Sequence, residues 1–408
     1  MAEVVRTEEA RLSWRPSTAD GCVTVLRREI IESEEDLAGL LGIWDELAVA
    51  NRLPYGAPAW MLSWWHHLAP RSAQLRVVTA WEGNELVGIV SLYTAPESGG
   101  VLNCRLLGAR YGGTPLGPLA VAGREPEVAG LLGASLRGMR PRPRVFHFDG
   151  IRSDSPWVAS LKEEWPGPGS PLMQVDARRP TPVVHLEGRT FDEWLAGQSK
   201  NFRQNLRRKQ RQLEDLGATF RMSGSTEEAE RDLEHFVRLH ESRWDWRGGS
   251  GRIRASTKDF LAELARELLP LGRFRLWSIE VDGVPISSHL FVSAGGRTNY
   301  WLGGFDDAWG RYSPAMITLL FGIQHAAEQG DSEVGLGAGR QGYKGRFTAE
   351  AEEMDWLTVV PPHAIRSPRV WVGVAPKLAM RGVGNRVSPE TRARLTAVSK
   401  KAPGWARW

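Results

Sequence analysis

The residues of this 408-residue chain that can do chemistry gather in its second half. His289 stands in Pro285-Ile-Ser-Ser-His-Leu-Phe-Val292, a run that reads as a strand after the turn at Asp282-Gly283. Alternation along a strand puts Ser287, His289 and Phe291 on one face and Ile286, Ser288, Leu290 and Val292 on the other. His289 is thereby a general-base candidate in mid-sheet, opposite the more apolar face, with a backbone-bonded core histidine as the plainer alternative. Next comes Tyr300-Trp-Leu-Gly-Gly-Phe-Asp306-Asp-Ala-Trp-Gly-Arg311-Tyr-Ser313-Pro314-Ala315. Ser-Pro is a helix start, with Ser313 as the cap and Pro314 at the first helical position, where a missing N–H costs nothing. The free amides and positive dipole end of that helix suit a pyrophosphate, and Arg311 lies beside them. Asp306 either orients His289 or shapes a turn. The third cluster is Gly335-Leu-Gly337-Ala-Gly339-Arg-Gln-Gly342-Tyr343-Lys344-Gly-Arg346. Glycines at this density let backbone approach a ligand, Lys344 with Arg346 suits an anionic or carbonyl group, and Tyr343 or Lys344 can protonate a departing group.

Holding these groups in place takes an ordered frame, and the hydrophobic periodicity supplies one. Helices are expected over Glu34–Ala50, behind a Ser33 cap, and over Ala57–Leu68, where Trp60, Trp64 and Trp65 read as core. A hairpin follows, Leu75–Trp81 and Leu86–Tyr93 around Glu82-Gly83-Asn84, then strands near Val101–Leu107, Val145–Phe148 and Val183–Leu186 with helices between. The second unit opens with one long helix, Phe191–Leu216, whose apolar stripe is Phe202, Leu206, Leu213 and Leu216. Helices at Glu227–Trp244 and Thr257–Leu269 lead to strands Phe274–Val281, Pro285–Val292 and Thr298–Leu302. A helix Ser313–Glu328 and a last strand Glu333–Leu336 complete it. The two units repeat one pattern, since Arg76 to Gly83 has its counterpart in Arg275 to Gly283. Aligning the turn glycines sets Ile89 opposite His289. The expected division is a loose tail at 1–22, a first lobe at 23–188, a second, catalytic lobe at 189–365 and a basic extension at 366–408.

The order of these motifs resembles the FemAB-like, CelD-type acyltransferases of the GNAT superfamily, over about residues 30 to 350. The likeness is sharpest in Ser199-Lys-Asn-Phe-Arg-Gln-Asn-Leu-Arg-Arg208, His240-Glu-Ser-Arg243-Trp244, Asp306 through Pro314, and Tyr343-Lys344. The resemblance implies a mixed α/β (α+β) fold of two tandem GNAT-like lobes, each a twisted, mostly antiparallel sheet flanked by helices. It also implies acyl transfer to an amine or hydroxyl, from acetyl-CoA or another acyl-CoA, or, in the Fem branch, from aminoacyl-tRNA. On this reading His289, Asp306, Tyr343 and Lys344 carry the chemistry. Arg311, Ser313, Ala315, Gly337 and Gly339 hold the donor, and Arg203, Arg207, Arg243, Trp244 and Tyr300 face the acceptor. Two departures stand out. The glycine usual after Ser-Pro is Ala315 here, and the phosphate loop Q/R-x-x-G-x-G/A of ordinary GNAT domains is absent from both lobes.

Composition narrows the classes. Hydrophobic residues make up 42% and charged residues 25%, so the chain can bury a large core, while a net charge of +4 is a mild basic excess and not a nucleic-acid footprint. Two cysteines, Cys22 and Cys104, lack metal spacing and are too few for a disulfide framework, which points to no metal and to a reducing, cytoplasmic setting. No run of 18 apolar residues marks a transmembrane segment. Lys200, Arg203, Arg207 and Arg211 recur at helical spacing, widened by Arg208 and Lys209, and the tail from Pro368 is basic. Segment 199–213 is either a solvated helix face or, with the tail, a contact for tRNA or an anionic surface. Three functions follow: an acyl-CoA-dependent acyltransferase acting on a small amine, sugar or peptide, a Fem-type enzyme acting on a cell-wall precursor, and a non-catalytic basic binding module.

Overall fold

The computed structural model describes residues 26–97, 100–109, 111, 113–245, 253, 256–339 and 342–371. In the first half these form β1 (Arg27–Ile31), α1 (Leu41–Ala50), α2 (Pro58–Leu68), β2 (Gln74–Glu82), β3 (Glu85–Glu97), β4 (Val101–Leu106) and β5 (Leu119–Ala120). α3 (Glu125–Gly138), β6 (Val145–Arg152), α4 (Pro156–Glu163) and β7 (Leu172–His185) complete that half. The second half contains α5 (Phe191–Ala196), α6 (Lys200–Glu214), β8 (Thr219–Met222), α7 (Thr226–Asp245), α8 (Thr257–Leu268), β9 (Phe274–Val281), β10 (Val284–Ala294) and β11 (Arg297–Phe305). It ends with α9 (Pro314–Glu328), β12 (Glu333–Gly335), β13 (Ala351–Val360) and α10 (Pro362–Ile365).

Several expectations change in detail for local reasons. The long helix Phe191–Leu216 is two helices, because Gly197 stops the first and the Ser199 hydroxyl accepts the Phe202 N–H at 3.3 Å to start the second. Phe202, Leu206 and Leu213 are buried as expected, but Leu216 lies past the end of α6 and is 41% exposed. The first helix begins as a 3-10 turn, Glu35–Leu40, whose entry is fixed by the Asp36 N–H on Ser33. Strands β8 and β13 and most of β7 are not among the expected elements.

The pairing repeats the same plan twice. β1-β2-β3-β4 and β8-β9-β10-β11 are each antiparallel, and each run then meets a parallel neighbour. Asn103 to Arg105 pair with Val145 to His147, and Arg297 to Asn299 pair with Glu333 to Gly335. The closing strands are exchanged between the halves. β13, from the end of the second half, lies between β6 and β7, while β7, from the end of the first, runs from β13 to β12. One continuous sheet therefore crosses the molecule in the order β1-β2-β3-β4-β6-β13-β7-β12-β11-β10-β9-β8.

Helices cover both faces of the second half's sheet. Leu290 and Val292 pack with Phe236 and Phe260 of α7 and α8, whereas Phe291 packs with Ile317, Leu320 and Ile323 of α9. Gly322 of α9 is needed for that contact, since a methyl there would meet the Phe291 ring at 2.2 Å. His289 lies opposite Leu290 and Val292 as expected, but its own face is covered as well. α9 closes it.

Two polar clasps join the halves. Arg297, 1% exposed, donates to Glu333 on β12 at 2.9 Å and to Glu352 on β13 at 3.0 and 2.6 Å, and the same carboxylates meet Arg52 and Arg152 of the first half. Burial works against the Glu352 charge, yet Arg297 more than offsets it and holds the carboxyl below the usual glutamate range. At the other clasp, His66 of α2 bonds Glu34 at 2.6 Å and Glu263 of α8 at 2.7 Å, and His67 bonds the second Glu263 oxygen at 2.7 Å. Burial opposes charge on His66 as well, but the two carboxylates outweigh it and raise its pKa above the ordinary value.

Two expectations follow. Glu352→Gln should lower the unfolding free energy by about 3 kcal/mol, because it strips a buried guanidinium of one partner. A loss under about 1 kcal/mol in urea denaturation would refute the clasp. A raised His66 pKa contributes stability that is fully present below its ordinary pKa and is lost as pH rises through the elevated one. Wild type should therefore lose stability relative to His66→Gln as pH rises above the ordinary histidine pKa of about 6.5. Parallel pH profiles of the two proteins would count against it.

Candidate active site

The site begins where β11 and β12 part. Their parallel pairing ends at Asn299↔Gly335, while β11 runs on to Phe305 beside β10 alone. The β10–β11 register slips between Leu290↔Leu302 and Phe291↔Tyr300, which leaves Trp301 as the extra residue of a bulge. The bulge sends Trp301 into the aromatic core between the halves, where its indole N–H donates to the Tyr111 carbonyl at 3.2 Å. Tyr300 turns to the α9 side. There its ring centroid lies 5.0 Å from that of His289, and the Lys344 ammonium sits 5.9 Å from it. Lys344 also donates to the Gly337 carbonyl at 3.1 Å. His289, Tyr300 and Lys344 are 2%, 9% and 4% exposed, so three groups singled out from three separate segments meet in one low-dielectric place.

Glycines make the room. His289 lies across from Gly303, and a methyl at Gly303 would fall 2.1 Å from the His289 Cδ2 atom. A side chain on Gly304 would strike the backbone of Leu239 and His240 in α7 at 2.4 Å, so α7 presses directly on β11. His240 adds a 3.0 Å hydrogen bond between its Nδ1 and the Gly303 carbonyl. On the His289 face, the Ser287 and Thr318 hydroxyls meet at 2.8 Å, and Thr318 donates to the Pro314 carbonyl at 3.0 Å. That pair bolts the first turn of α9 to β10 two residues from His289. Neither the Gly303-Gly304 pair nor Thr318 was singled out from the sequence. The two glycines follow directly on the predicted strand Thr298–Leu302, and glycines that continue a strand are the signal that marks such a close approach.

Other candidates lie apart. Asp306 does not reach His289, because it ends β11 and its carboxylate accepts the Ala308 N–H at 3.0 Å, opening the 3-10 helix Asp307–Tyr312. Ser313 holds the N-cap position with Pro314 at the start of α9, but it adopts a left-handed conformation, φ 56° and ψ 47°, and its hydroxyl makes no capping bond. Arg311 folds back on Tyr312, donating to its hydroxyl at 2.6 Å with the guanidinium 4.7 Å from the ring centroid. Ala315 is half-buried in the first turn of α9. Gly337 and Gly339 both have positive φ, and the Gly339 N–H bonds Pro180 at 2.9 Å, so these glycines shape the backbone that holds Lys344. Tyr343 packs against the α9-side core. Arg203 donates to the Ala196 carbonyl, and Arg207 is exposed on α6. Arg243 and Trp244 fall in the last turn of α7, with their side chains outside the described residues.

Burial pushes the Cys104 thiol up to about 12 despite the opposing pull of Arg76 and Arg105, which suppresses the thiolate. Among the described residues no three His, Cys, Asp or Glu side chains are grouped to hold a metal, and no helix is long and apolar enough to cross a membrane.

Residues 200–345 match the family model of the acetyltransferase (GNAT) domain. The matched segment spans α6 to Gly345 and includes His289, Tyr300 and Lys344. No curated protein matches the chain. Among solved structures it is similar to FemX, with a TM-score of 0.57 at 11% identity over 80% of this chain and 96% of that one. A second likeness is to the C-terminal domain of a protein described as a lysylphosphatidylglycerol synthetase from Agrobacterium fabrum (TM-score 0.54, 12% identity, 84% and 96% covered). A third is to a conserved protein of unknown function from Bacteroides thetaiotaomicron (TM-score 0.52, 11% identity, 81% and 99% covered). At these identities the likeness is one of fold. The second lobe is GNAT-like, and the first repeats its order of strands and helices, so the chain holds two such lobes in tandem.

The packing of His289 on Gly303 is testable by coupling. Gly303→Ala alone should cost about 1–3 kcal/mol of stability, the usual penalty for overpacking, and His289→Ala in the same chain should recover most of it. Strictly additive losses in a double-mutant cycle would show that the two residues do not share this space.

Proposed function

We propose that the chain is an acyltransferase whose second lobe moves an acyl group, acetyl in the simplest case, from an acyl-CoA thioester to an amine or hydroxyl. The acceptor class is a small molecule, sugar or peptide. The observation that carries this reading is the meeting of His289, Tyr300 and Lys344 at the point where β11 leaves β12, beside the first turn of α9. The acyl donor lies beside β11 beyond Asn299, where the pairing of β11 with β12 has ended. His289 takes the proton of the acceptor as it attacks the thioester carbonyl. Lys344, anchored by the Gly337 carbonyl, supports the oxyanion and then the departing thiolate, with Tyr343 next to it in the chain. Tyr300 holds both rings and ammonium in register, and Arg203 and Arg207 lie toward the acceptor. Asp306 serves as the cap it is. The reading places the protein in the cytoplasm, where a free buried Cys104 is stable.

The first lobe supports the assignment by contrast. There Ile89 takes the position of His289, and the short strand β5 pairs Leu119 and Ala120 with Ile89 and Gly88, where the second lobe has Gly303 and Gly304. Leu107, Ala109 and Tyr111 after β4 are buried, and a methyl on Gly113 would lie 2.4 Å from the Tyr55 ring. The corresponding opening is filled with its own chain. The aminoacyl-tRNA donor of the Fem branch is the second reading, and donor-dependent thermal stabilisation separates the two.

His289→Ala and Lys344→Ala should each lower the single-turnover rate with saturating acetyl-CoA by about 10²-fold or more. Melting curves on the same samples give the folded fraction. If the rate per folded molecule stays within a few-fold of wild type for both variants, the site is elsewhere.

A further inference from the structure

The outer face of α6 carries a line of cations that the site does not use. At about 100° per residue, Lys200, Arg207 and Arg211 fall within about 40° of arc, with Arg203 and Arg208 on the two flanks. Burial agrees with that wheel: Phe202, Leu206 and Leu213 are buried on the opposite side, while Lys200, Gln204, Arg207, Arg208 and Arg211 are exposed. The hydrogen bonds of these cations go to neutral oxygens, from Arg203 to the Ala196 carbonyl, from Arg208 to Asn205 and from Arg211 to the Arg207 carbonyl. Elsewhere the chain closes its arginines on carboxylates, as at Arg105, Arg221, Arg275 and Arg297. Like charges at i, i+4 spacing repel one another, a cost that an anionic partner relieves.

α6 also spans the two segments that border the candidate site. Near its start Phe202 packs edge-on against Phe347, just past Lys344, with ring centroids 5.2 Å apart, and near its end the Lys209 ammonium donates to the Arg311 carbonyl at the entry to α9. Exposed acids stand at both ends of the cationic line. Asp192 and Glu193 lie on α5, whose Ala196 carbonyl takes the Arg203 bond, and Glu214 and Asp215 follow Arg211. The positive field is therefore about 16 Å long and one helix wide. An extended peptide covers that length with about five residues, and guanidinium forks match its carboxylates. A longer polyanion such as RNA, or an anionic membrane plane, meets the flanking acids as well and is repelled by them. The apolar side of α6 is spent on its own core and has nothing to insert into lipid.

We propose that the outer face of α6 docks a short acidic peptide segment, with Lys200, Arg207 and Arg211 on its carboxylates. That the segment belongs to the acceptor rests on the acyl-transfer reading of the same lobe. The full chain is titrated into a labelled peptide of about ten residues, half of them glutamate and one a lysine, and into its glutamine counterpart, with fluorescence anisotropy as the readout. A single-stranded RNA of about ten nucleotides and phosphatidylglycerol vesicles, the latter read by cosedimentation, serve as the competing partners. Wild type should bind the glutamate peptide at least about tenfold more tightly than the glutamine one at low salt, with the gap shrinking as salt rises. Arg207→Glu with Arg211→Glu should weaken the glutamate peptide by about tenfold or more. Arg71→Glu with Arg142→Glu, the same change of net charge at exposed positions outside α6, should leave it within about twofold. If melting curves show the α6 reversal unfolded, Lys200→Gln with Arg211→Gln takes its place, with about a threefold loss expected. Equal binding of the two peptides, tighter binding of the RNA or the vesicles, or equal effects of the α6 and control variants would overturn the docking face. Docking without acylation of the peptide's lysine from acetyl-CoA would keep the face and overturn its part in acceptor recognition.

Discussion

The buried guanidinium of Arg297 is the constraint on which the rest of the structure depends. An isolated charge in that position would cost several kcal/mol, so Glu333 and Glu352 must come to it, one on β12 and one on β13. That requirement brings three strands together at one end. Asn299, two residues on, accepts a 3.4 Å hydrogen bond from Arg297 and fills the space over Gly335, where a methyl would meet its side-chain oxygen at 2.3 Å. Pairing beyond this point stops. Tyr300 is the next residue, and the opening between β11 and β12 therefore begins at a place fixed by a charge, not by the strands' own pairing preference.

The exchange of closing strands carries the same constraint across the molecule. β13 returns from the second half to pair with β6, and it brings Glu352 to a point where Arg152 of the first half also reaches it. β7 leaves the first half to pair with β12 through Val183 to His185. Neither half can complete its sheet alone. Trp301 adds an apolar counterpart, since the residue that the bulge expels from β11 stacks on Tyr111 and Phe236 between the lobes. The geometry of the candidate site is consequently tied to the packing of a lobe that supplies none of its polar side chains.

Much of the frame was legible because it rests on local signals. The hairpin turns at Gly83 and Gly283, the helices α2, α8 and α9, and the difference between Ile89 and His289 all come from periodicity and turn residues within short windows. β13 and β7 before Val183 were not legible, for a physical reason. Both are central strands with charged stretches, Arg178-Arg179-Pro180 and Glu352-Glu353, whose charges are neutralised only by partners far along the chain, as in the 2.7 Å bond from Arg178 to Asp355. Ser313 shows a different failure. Its residue type and the following proline fit a capped helix, but the 3-10 helix before it delivers the chain in a left-handed turn, and the carbonyl takes over the role expected of the hydroxyl. The covering of His289 by α9 is tertiary and leaves no mark on the strand's own alternation.

The asymmetry between the two lobes comes down to one segment. In the second lobe β11 runs along β10 as one strand with a single bulge at Trp301, and its far half is not paired with β12. In the first lobe the same length of neighbour is split between β4, which pairs with Leu92 to Glu97, and β5, which pairs with Gly88 and Ile89. Between them Leu107, Ala109, Tyr111 and Leu116 are all buried. An isoleucine at position 89 fits a filled interior, and Leu119 across from it supplies the volume. A histidine at position 289 needs the reverse, an opposite residue with no side chain at all, and Gly303 meets that need. One strand left whole, with two glycines at its far half, thus turns a packing surface into a cavity for an imidazole on an otherwise repeated backbone.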